Sequence, residues 1–142
     1  MKLKEIYTAH FPKKGFTALT IIPFVFVRKD RREKYNDTID RHEHTHGKQQ
    51  VECLILGAVL ALSLWMLGCG WYSLIPLPLF FELYFLEWII KIPFCKFDTE
   101  RAYMSISFEW EAYAFQTDKY YNRVRNDFAW INVIFKIKPE KK

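Results

Sequence analysis

The hydrophobic residues of this chain are concentrated in its middle, between two polar flanks. Residues 53–81 contain no charged side chain, and the only charges between residues 53 and 90 are Glu82 and Glu87. An uncharged apolar run of this length exceeds the roughly 20 residues that a membrane-spanning helix needs. The pattern therefore predicts a segment that enters a lipid bilayer rather than an ordinary buried core helix.

The apolar segment divides into two legs around a bend. Gly68 and Gly70 favour a turn, which separates a helix over residues 38–67 from a second helix over residues 74–92. The apolar part of each leg is about 19 residues and reaches roughly 28 Å at 1.5 Å per residue, just enough to cross. We expect a membrane-embedded helical hairpin that either spans the bilayer or lies in its interface as a monotopic element.

The two acids of the second leg need an explanation, because ionised carboxylates are costly in a bilayer. Glu82 and Glu87 are five residues apart and do not share a helix face. We expect Glu87 to lie near the interface beside Lys91 and Glu82 to face protein.

The flanks predict smaller elements. Residues 1–37 form a basic arm followed by one or two strands within residues 16–28, where Pro23 marks an edge or a break. Amphipathic helices are expected over residues 99–122 and 127–137. The predicted fold is a single domain, mainly α with a small N-terminal β element (α+β).

The charge distribution and the cysteine content indicate which kinds of partner and which cellular compartment to expect. Residues 1–52 carry eleven Lys and Arg against seven acids, residues 91–142 carry ten against seven, and the middle carries no Lys or Arg until Lys91. Basic flanks around an apolar centre indicate that both termini lie on the cytoplasmic side, with membrane lipid as partner and no nucleic acid. Three cysteines without Cys-x-x-Cys spacing fit a reducing compartment. The first ten residues have no apolar core of their own, so we do not expect them to be a cleaved secretory signal.

The chemistry-bearing motif lies at the start of the first leg. The sequence His42-Glu43-His44-Thr45-His46 has the pattern His-Glu-x-x-His. On a helix, residues four apart share a face, so His42 and His46 can bind one metal ion. Glu43 is then placed to reach a water on that metal without being a ligand, as in metal-assisted amide hydrolysis.

Two other interpretations of the motif stay open at this point. In the first, the histidines belong to a polar helix start and are solvated or bonded to backbone. Alternatively, His42, His44 and His46 could be ligands on one face of a strand. The following residues are good helix formers and Asp37 or Thr38 offers an N-cap, which favours the helix. His10 is expected at the surface.

A catalytic zinc usually takes three protein ligands, so the histidine pair implies a third ligand elsewhere. The stretch Glu109-Trp110-Glu111-Ala112-Tyr113 is the candidate donor. Together the two motifs resemble those of zincin metallopeptidases, specifically the membrane-embedded type in which a glutamate from a Glu-x-x-Ala-Asp motif is the third ligand. Here Tyr113 replaces the Asp. The resemblance covers residues 42–46 and 109–113 closely, and the layout between them is similar to that of small bacterial membrane proteins of unassigned function.

The resemblance implies a set of roles. Zn²⁺ would be bound by His42, His46 and Glu109, with Glu111 as the alternative third ligand, and Glu43 would be the general base. Oxyanion stabilisation is assigned to Tyr113 or Tyr103, and Asp118 is the candidate for the missing acid that orients a histidine. A peptide or protein substrate could align on the strand at residues 17–27.

Three hypotheses about function follow. The first is a small zinc metallopeptidase of the bacterial inner membrane that hydrolyses peptide bonds on the cytoplasmic side. The second is a non-catalytic membrane protein that keeps a zincin-like scaffold as a metal-stabilised interaction module. The third is a soluble protein whose apolar hairpin forms an oligomer interface.

Overall fold

The computed structural model describes residues 3–139, and these begin with a small three-stranded sheet. Strands β1 (Lys4–Thr8), β2 (Ala18–Ile21) and β3 (Phe24–Arg28) are arranged in the order β1-β3-β2. β1 is parallel to the central β3 and β2 is antiparallel to it, so β2 is an edge strand.

The sheet corrects the interpretation of the N-terminus as an arm without regular structure. Leu3, just before β1, is buried with Val25 and Val27 of β3, and Tyr7 packs against the same cluster. These contacts draw the first residues into the sheet as a third strand. Pro23 lies between β2 and β3, at the predicted break.

Helix α1 (Asp37–Met66) is one continuous helix of 30 residues, as predicted for residues 38–67. Its N-cap is Asn36, one residue before the predicted candidates, and the Asn36 side-chain oxygen accepts from the backbone N–H groups of Thr38 and Ile39 at 3.0 and 3.1 Å. The His-Glu-x-x-His motif begins in its second turn and ends in its third.

The second apolar leg is shorter than predicted. After a 3₁₀ turn at Gly70–Leu74, helix α2 runs over Leu79–Phe94, and Pro76 and Pro78 lie in the turn before it. Its 16 residues extend about 24 Å at 1.5 Å per residue. Among the residues described, α1 is the one helix long and apolar enough to cross a membrane by length and composition.

The predicted helix over residues 99–122 is broken into two. Helices α3 (Thr99–Ser105) and α4 (Ser107–Phe115) meet at Ile106, whose backbone is extended and whose side chain is fully buried in the core. Glu87 of α2 accepts from the backbone N–H of Ser107 at 2.9 Å and from its hydroxyl at 2.7 Å. This carboxylate provides a hydrogen-bond acceptor for a backbone N–H group in the first turn of α4, which has no partner within its own helix. The break between α3 and α4 is therefore stabilised by a residue of another helix.

The C-terminal region is also less helical than predicted. It contains the single turn α5 (Tyr121–Val124) and a 3₁₀ turn at Ala129–Val133 in place of a helix over residues 127–137. Phe128 adopts a left-handed conformation with φ of 54°, which prevents an α-helix from starting at Asp127.

The main core joins α1, α2 and α4 to this C-terminal region. Its buried members are Cys53, Phe80, Ile106, Phe108 and Trp130. This cluster lies next to the two motifs, since Phe108 precedes Glu109 and the Phe80 ring also packs against His46 at 6.3 Å between centroids.

Candidate metal centre

His42 and His46 lie one turn apart on the same face of α1. Their Nε2 atoms are 3.0 Å apart, and the side chains are 10% and 9% exposed. The helical conformation rules out the strand interpretation of the motif. The side chain of His44 is directed elsewhere: its Nδ1 atom lies 2.9 Å from the backbone oxygen of Asp40.

Glu109 reaches the two histidines from the first turn of α4. Its Oε2 atom lies 3.5 Å from Nε2 of His42, and its Oε1 atom lies 3.4 Å from Nε2 of His46. A carboxylate in the first turn of a helix is favoured by the helix dipole. His42, His46 and Glu109 thus form a buried group whose candidate ligand atoms all lie within 4.8 Å of one another.

The spacing of these atoms fits a tetrahedral metal site. Zinc bonds of about 2.0–2.1 Å place tetrahedral ligand atoms roughly 3.3 Å apart. The two histidine Nε2 atoms are 3.0 Å apart, and Oε2 of Glu109 lies 3.5 Å from Nε2 of His42. Among the described residues, the buried Oε2 of Glu109 and Nδ1 of His42 have no hydrogen-bond partner. A cation between the three side chains would satisfy the carboxylate oxygen.

Two tyrosines hold the other oxygen of Glu109. The hydroxyls of Tyr84 and Tyr103 donate to Oε1 of Glu109 at 2.6 and 2.9 Å. Burial, followed by the charge of Glu109, raises the pKa of Tyr103 above its usual value, so this hydroxyl stays a donor. With Oε1 occupied by two donors, Oε2 is left for a cation.

Glu109 and His46 each strongly affect the ionisation of the other. Burial opposes ionisation of Glu109, but His46 and His42 outweigh it and hold the pKa of the carboxyl well below its ordinary value. Burial alone would lower the pKa of His46, yet the adjacent Glu109 raises it to about 9. Without a metal the Glu109 carboxylate therefore favours the protonated, positively charged form of His46.

Gln49 orients His46 from the next turn of α1. The Gln49 amide nitrogen donates to Oε2 of Glu111 at 3.0 Å and to the carbonyl of Phe108 at 3.1 Å. Its amide oxygen is therefore the atom that lies 2.8 Å from Nδ1 of His46 and accepts from it. This bond keeps the proton of the imidazole on Nδ1 and directs the Nε2 lone pair of a neutral His46 toward Glu109.

Glu111, the alternative third ligand, lies outside the metal group. Its carboxylate is paired with Arg125 and accepts from the hydroxyl of Tyr121 at 2.7 Å. Arg125 also pairs with Glu52 of α1, and all three charged side chains are buried. Burial opposes the charge of Arg125, but its hydrogen bonds to the Glu52 and Glu111 carboxylates outweigh burial and raise the pKa of the guanidinium. Glu111 thus acts on the site through Gln49.

Glu43 follows His42 on α1 and points to the sheet. Its Oε2 atom accepts from the hydroxyl of Thr20 on strand β2 at 2.8 Å. Thr20 is itself buried, so the position of the Glu43 carboxylate is fixed by one bond from the edge strand. The other carboxylate oxygen is not involved in this bond.

The remaining predicted residues divide between the site and the surface. The ring of Tyr113 packs edge-to-face on His42 with centroids 4.5 Å apart, and burial followed by the charge of Glu109 raises the pKa of its hydroxyl to about 12. Asp118 is exposed in a turn, where it accepts from the backbone N–H of Tyr120 at 2.8 Å, so it does not replace the missing acid. His10 is exposed, as expected.

A cavity of about 800 Å³ opens onto this group. One wall is formed by the β2 residues Ala18, Leu19 and Thr20, and the opposite wall by aromatic side chains of α2. His42, Glu43, His46, Glu109 and Tyr113 all line it. A cavity of this size accommodates several residues of an extended peptide or one small organic molecule.

The contribution of four residues was not predicted from the sequence: Thr20, Gln49, Tyr84 and Arg125. Two of them carried a signal. Gln49 lies three residues after His46 and so shares its helix face, and the hydroxyl of Tyr84 needs a partner within an apolar helix. Thr20 and Arg125 act over long sequence separations that no local pattern reveals.

The comparisons with known proteins give no relative. No protein-family model matches the chain, and neither a curated protein nor a solved structure matches it. The described residues form a mainly helical α+β fold that contains a buried His-His-Glu group able to bind a metal ion.

Proposed function

We propose that this chain is a small membrane-associated zinc metallopeptidase. The observation that supports it most strongly is the convergence of His42 and His46 of α1 with Glu109 of α4 around a carboxylate oxygen that lacks a partner. Two imidazoles and one carboxylate are a common ligand set of catalytic zinc sites, which keep one coordination position open.

The donor set also favours zinc over harder cations. Magnesium and calcium prefer sites built mostly from oxygen, whereas imidazole nitrogen suits zinc and its neighbours among the transition metals. A catalytic zinc ion supplies Lewis acidity, lowering the pKa of water and polarising a carbonyl group. The residues of this chain would provide the remaining functions.

Glu43 is the candidate general base. It follows the first histidine, lines the cavity, and is held by Thr20 through one carboxylate oxygen. The second oxygen can accept the proton of the water that attacks a peptide carbonyl and later pass it to the leaving amine. Tyr113 is the candidate donor to the developing oxyanion, because Tyr103 and Tyr84 already donate to Glu109.

The cavity favours a peptide substrate. An extended peptide can pair with an edge strand through its backbone. β2 is an edge strand that lines the cavity, and a peptide would pair with the part of it that precedes Thr20, whose carbonyl already accepts from the Gln50 amide. Because Thr20 belongs to β2 and bonds Glu43, a peptide on this edge would lie beside the general base.

Membrane association rests on the exposed apolar surface of α1 and α2 and on the basic flanks. Many large apolar side chains of residues 54–94 are exposed, including Ile55, Leu62 and Phe85 at 60%, 62% and 58%. The flanks carry all 21 Lys and Arg residues, which favours the cytoplasmic side and anionic headgroups.

The experiment that tests the proposal compares wild type with Glu43→Gln, after loading with zinc, on fluorescently labelled casein and on a randomised peptide mixture. We expect Glu43→Gln to bind zinc one-to-one and to cleave at least about a hundredfold more slowly. Glu33→Gln is the matched control, since Glu33 is exposed on a 3₁₀ turn over Lys29–Lys34, before α1, and its replacement should leave the rate unchanged.

Two results would contradict the proposal. Equal rates for wild type and Glu43→Gln would exclude Glu43 as the base. A zinc-loaded wild type that cleaves neither probe would favour the second candidate function, a non-catalytic membrane protein with a metal-stabilised scaffold.

A further inference from the structure

The far end of the apolar hairpin protrudes from the rest of the described molecule. We define the apolar tip as residues 54–77, which comprise the end of α1, the 3₁₀ turn and the segment leading to α2. Its most exposed side chains include Met66, Leu67, Trp71 and Tyr72, each at least three-quarters exposed. No charged residue occurs in it. A contiguous exposed apolar surface of this kind marks a site of interaction with protein or membrane.

The end of α1 and the returning segment of this tip pack closely against each other at its base. Cys53, Gly57 and Ala61 are buried and lie one helical turn apart, so they form a stripe of small residues along α1. A Cβ atom on Gly57 would lie 2.1 Å from the carbonyl oxygen of Pro76, which shows how closely the returning chain approaches there. Beyond this contact the tip has little protein around it.

The exposure of α1 within the tip extends around most of the helix. At 100° per residue, Leu54, Val59 and Leu60 lie at about 0°, 140° and 240°, and all three are at least 41% exposed. The small-residue stripe fills the remaining arc. A protein partner docks on one side of a helix, whereas lipid surrounds it, so the distribution favours a bilayer as the occupant.

The length of the exposed part decides how far it can reach. From Leu54 to Met66 the helix extends about 20 Å, and α2 about 24 Å, both short of the roughly 30 Å hydrocarbon core. The first half of α1 cannot add to this length, because its polar residues Glu43, Gln49 and Glu52 are buried in bonds to other elements. Lipid therefore has access to α1 only from Leu54 onward.

We propose that the apolar tip enters a bilayer from the side on which the sheet and the metal group lie, and ends within the hydrocarbon core without crossing it. The basic flanks of the chain, with a formal net charge of +5, would then face anionic headgroups on that same side. The inference extends the membrane association proposed above and does not depend on catalysis.

Cys69 makes the proposal directly testable. It lies in the tip between Gly68 and Gly70 and is partly exposed, while Cys53 and Cys95 are fully buried. The purified full chain is added to preformed phosphatidylcholine–phosphatidylglycerol vesicles, and the bound fraction is isolated by flotation. A membrane-impermeant maleimide is then supplied either outside the vesicles or trapped within them.

The expected result is flotation with the vesicles and protection of Cys69 from both sides, followed by reaction of the thiol once the vesicles are dissolved in denaturing detergent. Reaction with the trapped reagent would show a crossing hairpin and overturn the proposal. Reaction from outside on floated protein would show that the tip is not inserted. Failure to float, with Cys69 hidden in a discrete oligomer, would assign the surface to a second copy of the chain and overturn membrane association as well.

A pair of matched variants keeps the test independent of labelling. Val59→Glu places a charge in the apolar tip, whereas Val124→Glu places the same charge on the exposed turn α5; the two valines are 57% and 74% exposed. We expect Val59→Glu to lower the vesicle-bound to free ratio at least tenfold and Val124→Glu to leave it unchanged. Equal effects of the two variants would overturn the proposal.

Discussion

The amide oxygen of Gln49 lies 2.8 Å from Nδ1 of His46, and this contact determines which ring nitrogen of His46 faces Glu109. The amide cannot be reversed without cost, since its nitrogen donates to Glu111 and to the carbonyl of Phe108. Glu111 is in turn paired with Arg125. A chain of buried polar groups therefore extends from the C-terminal region to a candidate metal ligand.

Replacing Gln49 should weaken metal binding without removing a ligand. We expect Gln49→Ala to lower zinc affinity about 10- to 100-fold, because the imidazole of His46 loses the acceptor that sets its tautomer and orientation. The affinity is measured by competition with a chromophoric chelator. Gln50→Ala is the control: Gln50 is also buried on α1, but its amide bonds Thr20 and Ile22 of the sheet. Equal loss of affinity in the two variants would contradict the positioning role of Gln49.

Arg125 should be important for stability. Its removal leaves the carboxylates of Glu52 and Glu111 buried without a cation, and breaking a buried ion pair in this way typically costs about 3–5 kcal/mol. We expect Arg125→Met to lower the free energy of unfolding by that order, as measured by chemical denaturation. Arg123→Met, at an exposed position two residues away, should change it by less than about 0.5 kcal/mol. If Arg125→Met lowered the free energy of unfolding as little as Arg123→Met, the ion pairs of Arg125 with Glu52 and Glu111 would not stabilise the fold.

Gly57 should tolerate no side chain. Because a Cβ atom there would meet the carbonyl oxygen of Pro76 at 2.1 Å, Gly57→Val must separate α1 from the returning chain. We expect a loss of about 1–3 kcal/mol, the usual cost of overpacking, measured as a lower thermal midpoint in detergent. Ala58→Val introduces the same side chain at the neighbouring exposed position and should be neutral. A neutral Gly57→Val would mean that the two segments are not in contact.

The parts of the fold that the sequence predicted depend on local patterns. The helix over residues 38–67 follows from good helix formers that continue into an apolar run, and it is present as Asp37–Met66. The convergence of His42 and His46 follows from helix geometry alone. The pairing of Glu87 with Lys91, at 2.6 Å, likewise follows from their spacing of four residues.

The parts that were predicted wrongly depend on long-range contacts. The break at Ile106 exists because that side chain is buried in the core and Glu87 satisfies the next turn, and neither fact is visible within residues 99–122. Glu82 was expected to face protein, but it is exposed on α2. The sequence also left Glu109 and Glu111 as alternatives: Glu109 lies beside the two histidines, whereas Glu111 is paired with Arg125 from a distant part of the chain.

The metal content of purified protein tests the central claim most directly. Elemental analysis after dialysis against zinc compares wild type with four variants, and circular dichroism confirms that each is folded. The variants are His42→Ala, His46→Ala, Glu109→Gln and Glu111→Gln. The account predicts about one zinc ion per chain in wild type and Glu111→Gln, and loss of the metal in the two histidine variants and Glu109→Gln. Equal zinc content in all five folded proteins would contradict it.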